Sequence, residues 1–179
     1  MSKNEISLED ELKIMNELLG KRVIGFDKVI DTTDRNIWLY DKENDLYRNK
    51  GIYSDIMIMD NGDRYLVEMT DYDCCANALG TIFLPDGEFE GVITEVESSE
   101  KTIDYGGETT RYATIKLLFE NSKTAEIRMS ANNGNGDYYM SVATLIIRPI
   151  PEINNGTSFE EDMREQDKND KWVYSLRSY

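Results

Sequence analysis

The 179-residue chain contains no histidine. That absence removes the Ser-His-Asp and Cys-His nucleophile arrangements and most zinc and iron ligand sets. Carboxylates, Tyr, Lys or Cys can still carry catalysis, but the usual proton carrier at neutral pH is missing. Cysteine is almost absent as well. The only two, Cys74 and Cys75, are adjacent, and vicinal residues bridge only through a strained ring, so no disulfide framework is expected. No hydrophobic run approaches the roughly 20 residues of a membrane helix. The N-terminal MSKNEISLEDELK lacks the apolar centre of a secretory signal. A cytosolic, reduced protein without membrane contact is the expectation.

Positive charge is scarce in one part of the chain. Residues 41–110 hold 17 acids against 5 bases, whereas residues 111–151 hold 5 bases and 3 acids. Overall, 35 Asp and Glu face 20 Lys and Arg, for a net charge of −15. A field of that sign repels nucleic-acid backbones and excludes direct nucleic-acid binding as the first expectation. It suits either a solvated acidic surface or a partner with a basic surface. The most negative stretch is Asp86–Glu108, with 8 acids and 1 base.

Hydrophobic periodicity predicts an α+β chain, mostly antiparallel sheet of about eight strands behind an N-terminal helix. Ser7 caps that helix with Asp10 at the third helical position. Leu8, Leu12, Met15, Leu18 and Leu19 form its apolar stripe, expected to lie on the sheet, and Gly20 ends it. Val23–Ile30 and Ile37–Tyr40 read as strands, with a charged loop at 42–51. The strongest local signal is Asn61-Gly62 between two β-rich runs, which predicts a hairpin with a type I′ turn. In its second strand Tyr65, Val67 and Met69 alternate with Leu66, Glu68 and Thr70.

Cys74–Leu79 reads as a helical turn or a bulged strand extension, and Leu84–Gly87 as a turn. Glu90–Glu97 is a strand and Ser98–Glu108 a polar hairpin tip. Arg111–Phe119, Thr124–Ser130 and Tyr138–Ile147 are further strands, the first two joined at Glu120–Lys123. Residues 1–151 are expected to form one β-rich domain and 152–179 a polar extension. Within the extension, Ser158–Asp167 has helical character, and Trp172, Tyr174 and Leu176 alternate like an edge strand.

Asp71-Tyr72-Asp73-Cys74-Cys75 is the sharpest chemical constellation. Two carboxylates beside two thiols suggest a soft metal or a reactive thiolate. Neighbouring acids raise a thiol's pKa, however, and adjacent cysteines cannot easily share one tetrahedral ion as a CxxC pair does. A structural turn is the plainer account. Asn132–Asp137 has the composition of a calcium loop, but position 12 counted from Asn132 is Ala143 rather than the bidentate Glu required. No GK[ST] follows its glycines, so it is not a phosphate loop. No metal and no cofactor are expected. A small-ligand pocket, for a nucleotide, would draw on Asp71, Asp73, Cys74, Cys75, Asn77, Asn133, Tyr138 and Tyr139, with Arg111 and Arg128 as the nearest cations.

Several of these pieces resemble an uncharacterised phage-encoded domain family. The resemblance rests on a strand–glycine turn–strand followed by Asp73-Cys74-Cys75. It also rests on Leu18-Leu19-Gly20-Lys21 ahead of the first strand, and on a late Asn135-Gly136-Asp137-Tyr138-Tyr139 hairpin. It covers roughly residues 8–148. The acidic insert at 85–110 and the tail after Pro151 depart from it. The resemblance implies a phage or prophage origin and assigns no activity.

The resulting expectation is a non-enzymatic, acidic accessory protein in the host cytoplasm. It would bind and inhibit a host protein with a basic surface, such as a nucleic-acid-binding defence factor of the CRISPR effector kind. Glu88, Glu90, Glu95, Glu97, Glu100 and Asp104 would make the contact. A small-ligand binding or sequestering protein, or a structural phage protein, is the alternative.

Overall fold

The computed structural model describes residues 6–27, 52–54, 56–73, 75–84, 90–134, 139–149 and 169–178. The expected strand at Ile37–Tyr40, the loop at 42–51 and the helix at Ser158–Asp167 lie outside the described residues. One helix, α1 (Leu8–Leu18), is followed by ten described strands: β1 (Arg22–Asp27), β2 (Ile52–Ser54), β3 (Ile56–Met59), β4 (Arg64–Tyr72), β5 (Ala78–Leu84), β6 (Gly91–Asp104), β7 (Thr109–Phe119), β8 (Thr124–Asn132), β9 (Ser141–Arg148) and β10 (Lys171–Arg177). Every pairing is antiparallel. The expected class therefore holds, with ten strands in place of about eight.

The start of α1 follows the sequence closely. Asp10 N–H donates to Ser7 Oγ at 3.1 Å and Ser7 Oγ donates to Asp10 Oδ2 at 2.7 Å. Together they satisfy first-turn groups that otherwise have no partner. Gly20, at φ 77°, takes the left-handed position after the helix. The burial of the helix departs from expectation. Ile14 and Leu18 enter the core, while Leu8, Leu12 and Leu19 are exposed.

The strands form one sheet in the order β10-β9-β4-β3-β1-β6-β7-β8-β5-β2. Strands β4 and β5 are neighbours in the chain but stand far apart in that order. They nevertheless meet face to face: a Cβ added to Gly80 on β5 would lie 2.1 Å from Val67 Cγ1 on β4. The sheet is thus rolled, with β6 at the bend. A register shift between Ile93 and Glu95 falls there, where extra twist helps the sheet turn. The core inside the roll holds Tyr65, Ile82, Ile93, Ile115, Phe119, Ile127 and Leu145 with Ile14 and Leu18 from α1. Strand β9 is buried along residues 141–147, on both faces. Such a strand needs a continuous apolar run rather than an alternating one, and Val142–Ile147 supplies it.

Two hairpins share one loop geometry. At β3–β4, Met59 N–H donates to Asp63 O (2.9 Å) and Gly62 N–H to Met59 O (2.8 Å), with Gly62 at φ 86°. At β7–β8, Phe119 N–H donates to Lys123 O (3.0 Å) and Ser122 N–H to Phe119 O (2.8 Å), with Ser122 at φ 63°. Both are three-residue loops, a type I turn closed by one left-handed residue. The type I′ turn expected at Asn61-Gly62 is therefore corrected, since Asn61 is not at positive φ. Asn61 Oδ1 instead accepts from Asp63 N–H (3.0 Å), and Asn121 Oδ1 does the same for Lys123 (3.2 Å).

The polar stretch Ser98–Glu108 is also corrected. Strand β6 runs unbroken to Asp104, paired residue by residue with β7 down to Thr109, and only the last few residues make the turn. Ladder bonds satisfy the backbone whatever the side chains are, so polarity alone did not mark a tip. Residues 171–177, read from the sequence as part of an extension, form an edge strand of the same sheet. Val173, Tyr174 and Leu176 are in its core. Among the described residues no helix is long and apolar enough to cross a membrane.

Ser122 occupies a conformation that glycine adopts without steric cost. Ser122→Gly is expected to stabilise the fold by ~0.5–1 kcal/mol in urea unfolding, because relief of the left-handed strain outweighs the added freedom of the unfolded chain. Destabilisation of that size would show the loop geometry to be misread.

Candidate functional site

Two regions carry the residues singled out from the sequence: the corner where β4 ends and β5, β8, β9 and β10 converge, and the β6–β7 ribbon.

At the corner, Asp73 clamps the start of β9. Its N–H donates to Met140 O (2.7 Å) and its Oδ2 accepts from Met140 N–H (3.0 Å). The chain reverses through Cys75, which stands at φ 72°, and Ala76 N–H returns to Asp73 O at 3.1 Å. Gly134, at φ 61°, sits against that reversal. A Cβ there would come 2.7 Å from Cys75 O, so the close approach of the two loops requires glycine. Asn77 and Asn132 bond reciprocally: Asn77 N–H donates to Asn132 Oδ1 (2.8 Å) and Asn132 N–H to Asn77 O (2.9 Å). Asn133, 1% exposed, extends the β7–β8 ladder by accepting from Thr109 N–H at 2.7 Å through Oδ1.

Two fully buried serines close this knot. Ser141 Oγ lies within donating distance of Asn77 O (2.7 Å) and Asn132 O (2.8 Å), while Ser178 Oγ accepts from Ser141 N–H (2.8 Å) and lies 2.8 Å from Asn132 O. Neither serine was signalled by the sequence. A serine within or beside a strand says nothing of itself, and only the convergence of four chain segments gives these two their partners.

Of the residues expected to line a ligand pocket, Asn77 and Asn133 and the carboxylate of Asp73 thus hold backbone. Asp71, Asp73 and Cys75 remain exposed, and Tyr139 is half-buried. Cys74 and Tyr138 lie outside the described residues. No group of three acids or thiols at metal-binding distance occurs among the described residues.

On the ribbon, strand phase sorts the acids. Glu95 and Glu97 point outward and are exposed, as is Glu90 just before β6. Glu97 stands opposite Lys116, and Lys116 opposite Glu126, so this row alternates in charge across three strands. Arg128 completes it, donating to Glu126 Oε2 from Nε at 2.8 Å and lying 4.6 Å from the centre of the Phe83 ring. Excess negative charge on this face therefore gathers at Glu90 and Glu95.

Glu100 was expected among the exposed acids, but it is one strand-phase away and turns inward. Its side chain is 7% exposed and pairs with Arg111 at 2.5 Å. It also accepts a hydrogen bond from Tyr174 Oη on β10. Arg111 in turn donates to Arg177 O at 2.8 Å. The cluster ties β6 and β7 to the opposite end of the rolled sheet. Asp104 accepts from Gly106 N–H (2.8 Å) and Gly107 N–H (3.3 Å) and shapes the turn. Glu88 lies outside the described residues. Arg111 and Arg128, read as cations for a nucleotide, are engaged with Glu100 and Glu126.

Burial, and then the Glu100 carboxylate, push the Tyr174 hydroxyl far above its ordinary pKa; burial, and then Glu17 and Asp63, do the same for Tyr65. Tyr65 Oη donates to Glu17 O at 3.1 Å, which fastens α1 to β4. On the β10 side, Arg148 is held between Asp170 (2.7 Å) and Glu68 (3.1 Å), and these partners raise its pKa above the ordinary value.

A family model described as a domain of unknown function, DUF7448, matches residues 16–146. No curated protein and no solved structure matches the chain.

Tyr174→Phe deletes a donor to a buried carboxylate and is expected to cost about 2 kcal/mol in chemical denaturation. A neutral result would mean that Glu100 is satisfied without it. A tyrosine whose pKa is raised on folding adds stability below the unfolded value of about 10 and loses it as pH rises beyond that. The unfolding midpoint should therefore be insensitive to this term up to about pH 9 and fall above it. By absorbance, two of the 11 tyrosines should titrate after the rest. Simultaneous titration of all of them would contradict the buried placement of Tyr65 and Tyr174.

Proposed function

Because the chain belongs to the DUF7448 family, a domain of unknown function matched over residues 16–146, we propose a role from its surface chemistry. It is an acidic, non-enzymatic accessory protein of phage type that acts in the host cytoplasm. There it binds and inhibits a host protein with a basic surface. A nucleic-acid-binding defence factor such as a CRISPR effector is the natural target class, because its groove for phosphates would accept carboxylates.

The observation that carries this reading is the exposed row Glu90, Glu95 and Glu97 at the outer edge of a rigid ribbon, in a chain of net charge −15. Carboxylates fixed on a paired strand lose less entropy on contact than those of a loose loop. Glu100 and Asp104 have structural tasks and are not part of the contact.

The alternative, a small-ligand binding or sequestering protein, draws less support. The polar groups that would read a nucleotide at the β4–β9 corner already hold backbone, and the two nearest cations are in ion pairs.

The test is capture from a bacterial lysate by the tagged full chain, with Glu90→Gln/Glu95→Gln/Glu97→Gln as the control. One basic protein should be retained at low salt and released at high salt, since exposed charge contacts are screened beyond roughly 10 Å at 0.1 M salt. The triple variant should fail to hold it. Unchanged retention by the triple variant would discard the reading. A ligand at 100 times its Kd adds about 2.7 kcal/mol of stability. A thermal shift of that size with a nucleotide would move the weight to the sequestering alternative.

A further inference from the structure

Helix α1 presents two apolar faces and uses one. Ile14 and Leu18, both 0% exposed, pack into the core. Leu8 (70% exposed), Leu12 (50%) and, at the C-cap, Leu19 (43%) stand on a separate line with half-buried Met15 at its edge. At 3.6 residues per turn that line lies about 100° around the helix from the packed face. A single exposed leucine is ordinary. Successive spacings of four, three and four residues are those of a seam that receives another helix.

Charge indicates which helix. Glu9, Asp10 and Glu11 form the first turn, and the last turn carries no base. Asp10 is occupied by the Ser7 cap, and Glu17 pairs with Lys171 at 2.5 Å. Glu9 and Glu11 flank the stripe, one on each side. A second copy of this chain on the same seam would bring four such carboxylates together, which disfavours it.

We propose that the Leu8–Leu12–Leu19 face is a docking site for an amphipathic helix with an apolar seam and lysine- or arginine-rich flanks. The occupied length is the three turns of α1, about 16 Å. The site is separate from the Glu90–Glu97 row and depends on apolar contact as well as charge.

The test uses the full chain and a labelled 18-residue probe of Leu and Lys, with Leu at heptad a and d positions. Fluorescence anisotropy at 0.15 M salt should show binding that falls at least tenfold in Leu8→Ser/Leu12→Ser. That substitution leaves charge and core unchanged, so the thermal midpoint should move little. Glu95→Gln/Glu97→Gln should retain the probe, which separates this site from the row on β6. Equal binding of the double-serine variant would overturn the proposal, as would equal binding of a probe with the same composition in scrambled register. A concentration-dependent dimer of the unmodified chain that the double-serine variant abolishes would overturn it in favour of self-association.

Discussion

A ten-stranded sheet with one short helix to cover it can bury an apolar face chiefly against itself. Everything else in the molecule follows from that constraint. The two ends of the sheet must approach closely enough to exclude water, so Gly80 stands where β5 meets Val67 of β4, with no room for even one methyl group. The bend falls on the longest strand, β6, and its register shift sits where the roll begins. Helix α1 closes part of the roll with only Ile14 and Leu18 fully buried, and the rest of its apolar surface is left in solvent.

Closure also brings polar groups into places where water cannot serve them. Glu100, Arg111 and Tyr174 come from three strands and meet inside the roll. An ion pair in such a place adds little net stability, because desolvation offsets its attraction, yet removing one member leaves a buried charge without compensation. Its effect is therefore on register: β10 fits the rest of the sheet in one position, where Tyr174 reaches Glu100 and the Arg177 carbonyl reaches Arg111. The Ser141–Ser178 knot acts alike at the other end of β10, and Arg148 with Asp170 and Glu68 at its beginning. A strand that lies beyond the family-matched residues is thereby made integral to the fold.

The same accounting separates residues that hold the protein from residues available to a partner. Asp73, Asn77 and Asn133 looked like ligand-reading groups, because short polar side chains near turns are the usual stock of binding loops. Their bonds go to Met140, Asn132 and Thr109 instead. On β6 the alternation of the strand divides the acids, sending Glu95 and Glu97 outward and Glu100 inward. What remains free is a short acidic row and an apolar helix face, and both are features of a protein that meets other proteins.

The class of fold was legible in the sequence, because antiparallel pairing leaves a local record: tight turns at Asn61-Gly62 and Glu120–Lys123, period-two alternation around Val67, and a capped helix start at Ser7. So were the alternation of Trp172, Tyr174 and Leu176 and the absence of histidine chemistry. These depend on residues within a few positions of one another. The roll of the sheet, the inward turn of Glu100, the knot at Ser141 and Ser178, and the choice of Ile14 and Leu18 over Leu8 and Leu12 as the buried helix face were decided by tertiary structure alone. Each rests on contacts between residues tens of positions apart. Local propensity is the same for an acid or a leucine whichever way it faces, and only the surface that arrives opposite determines what is buried.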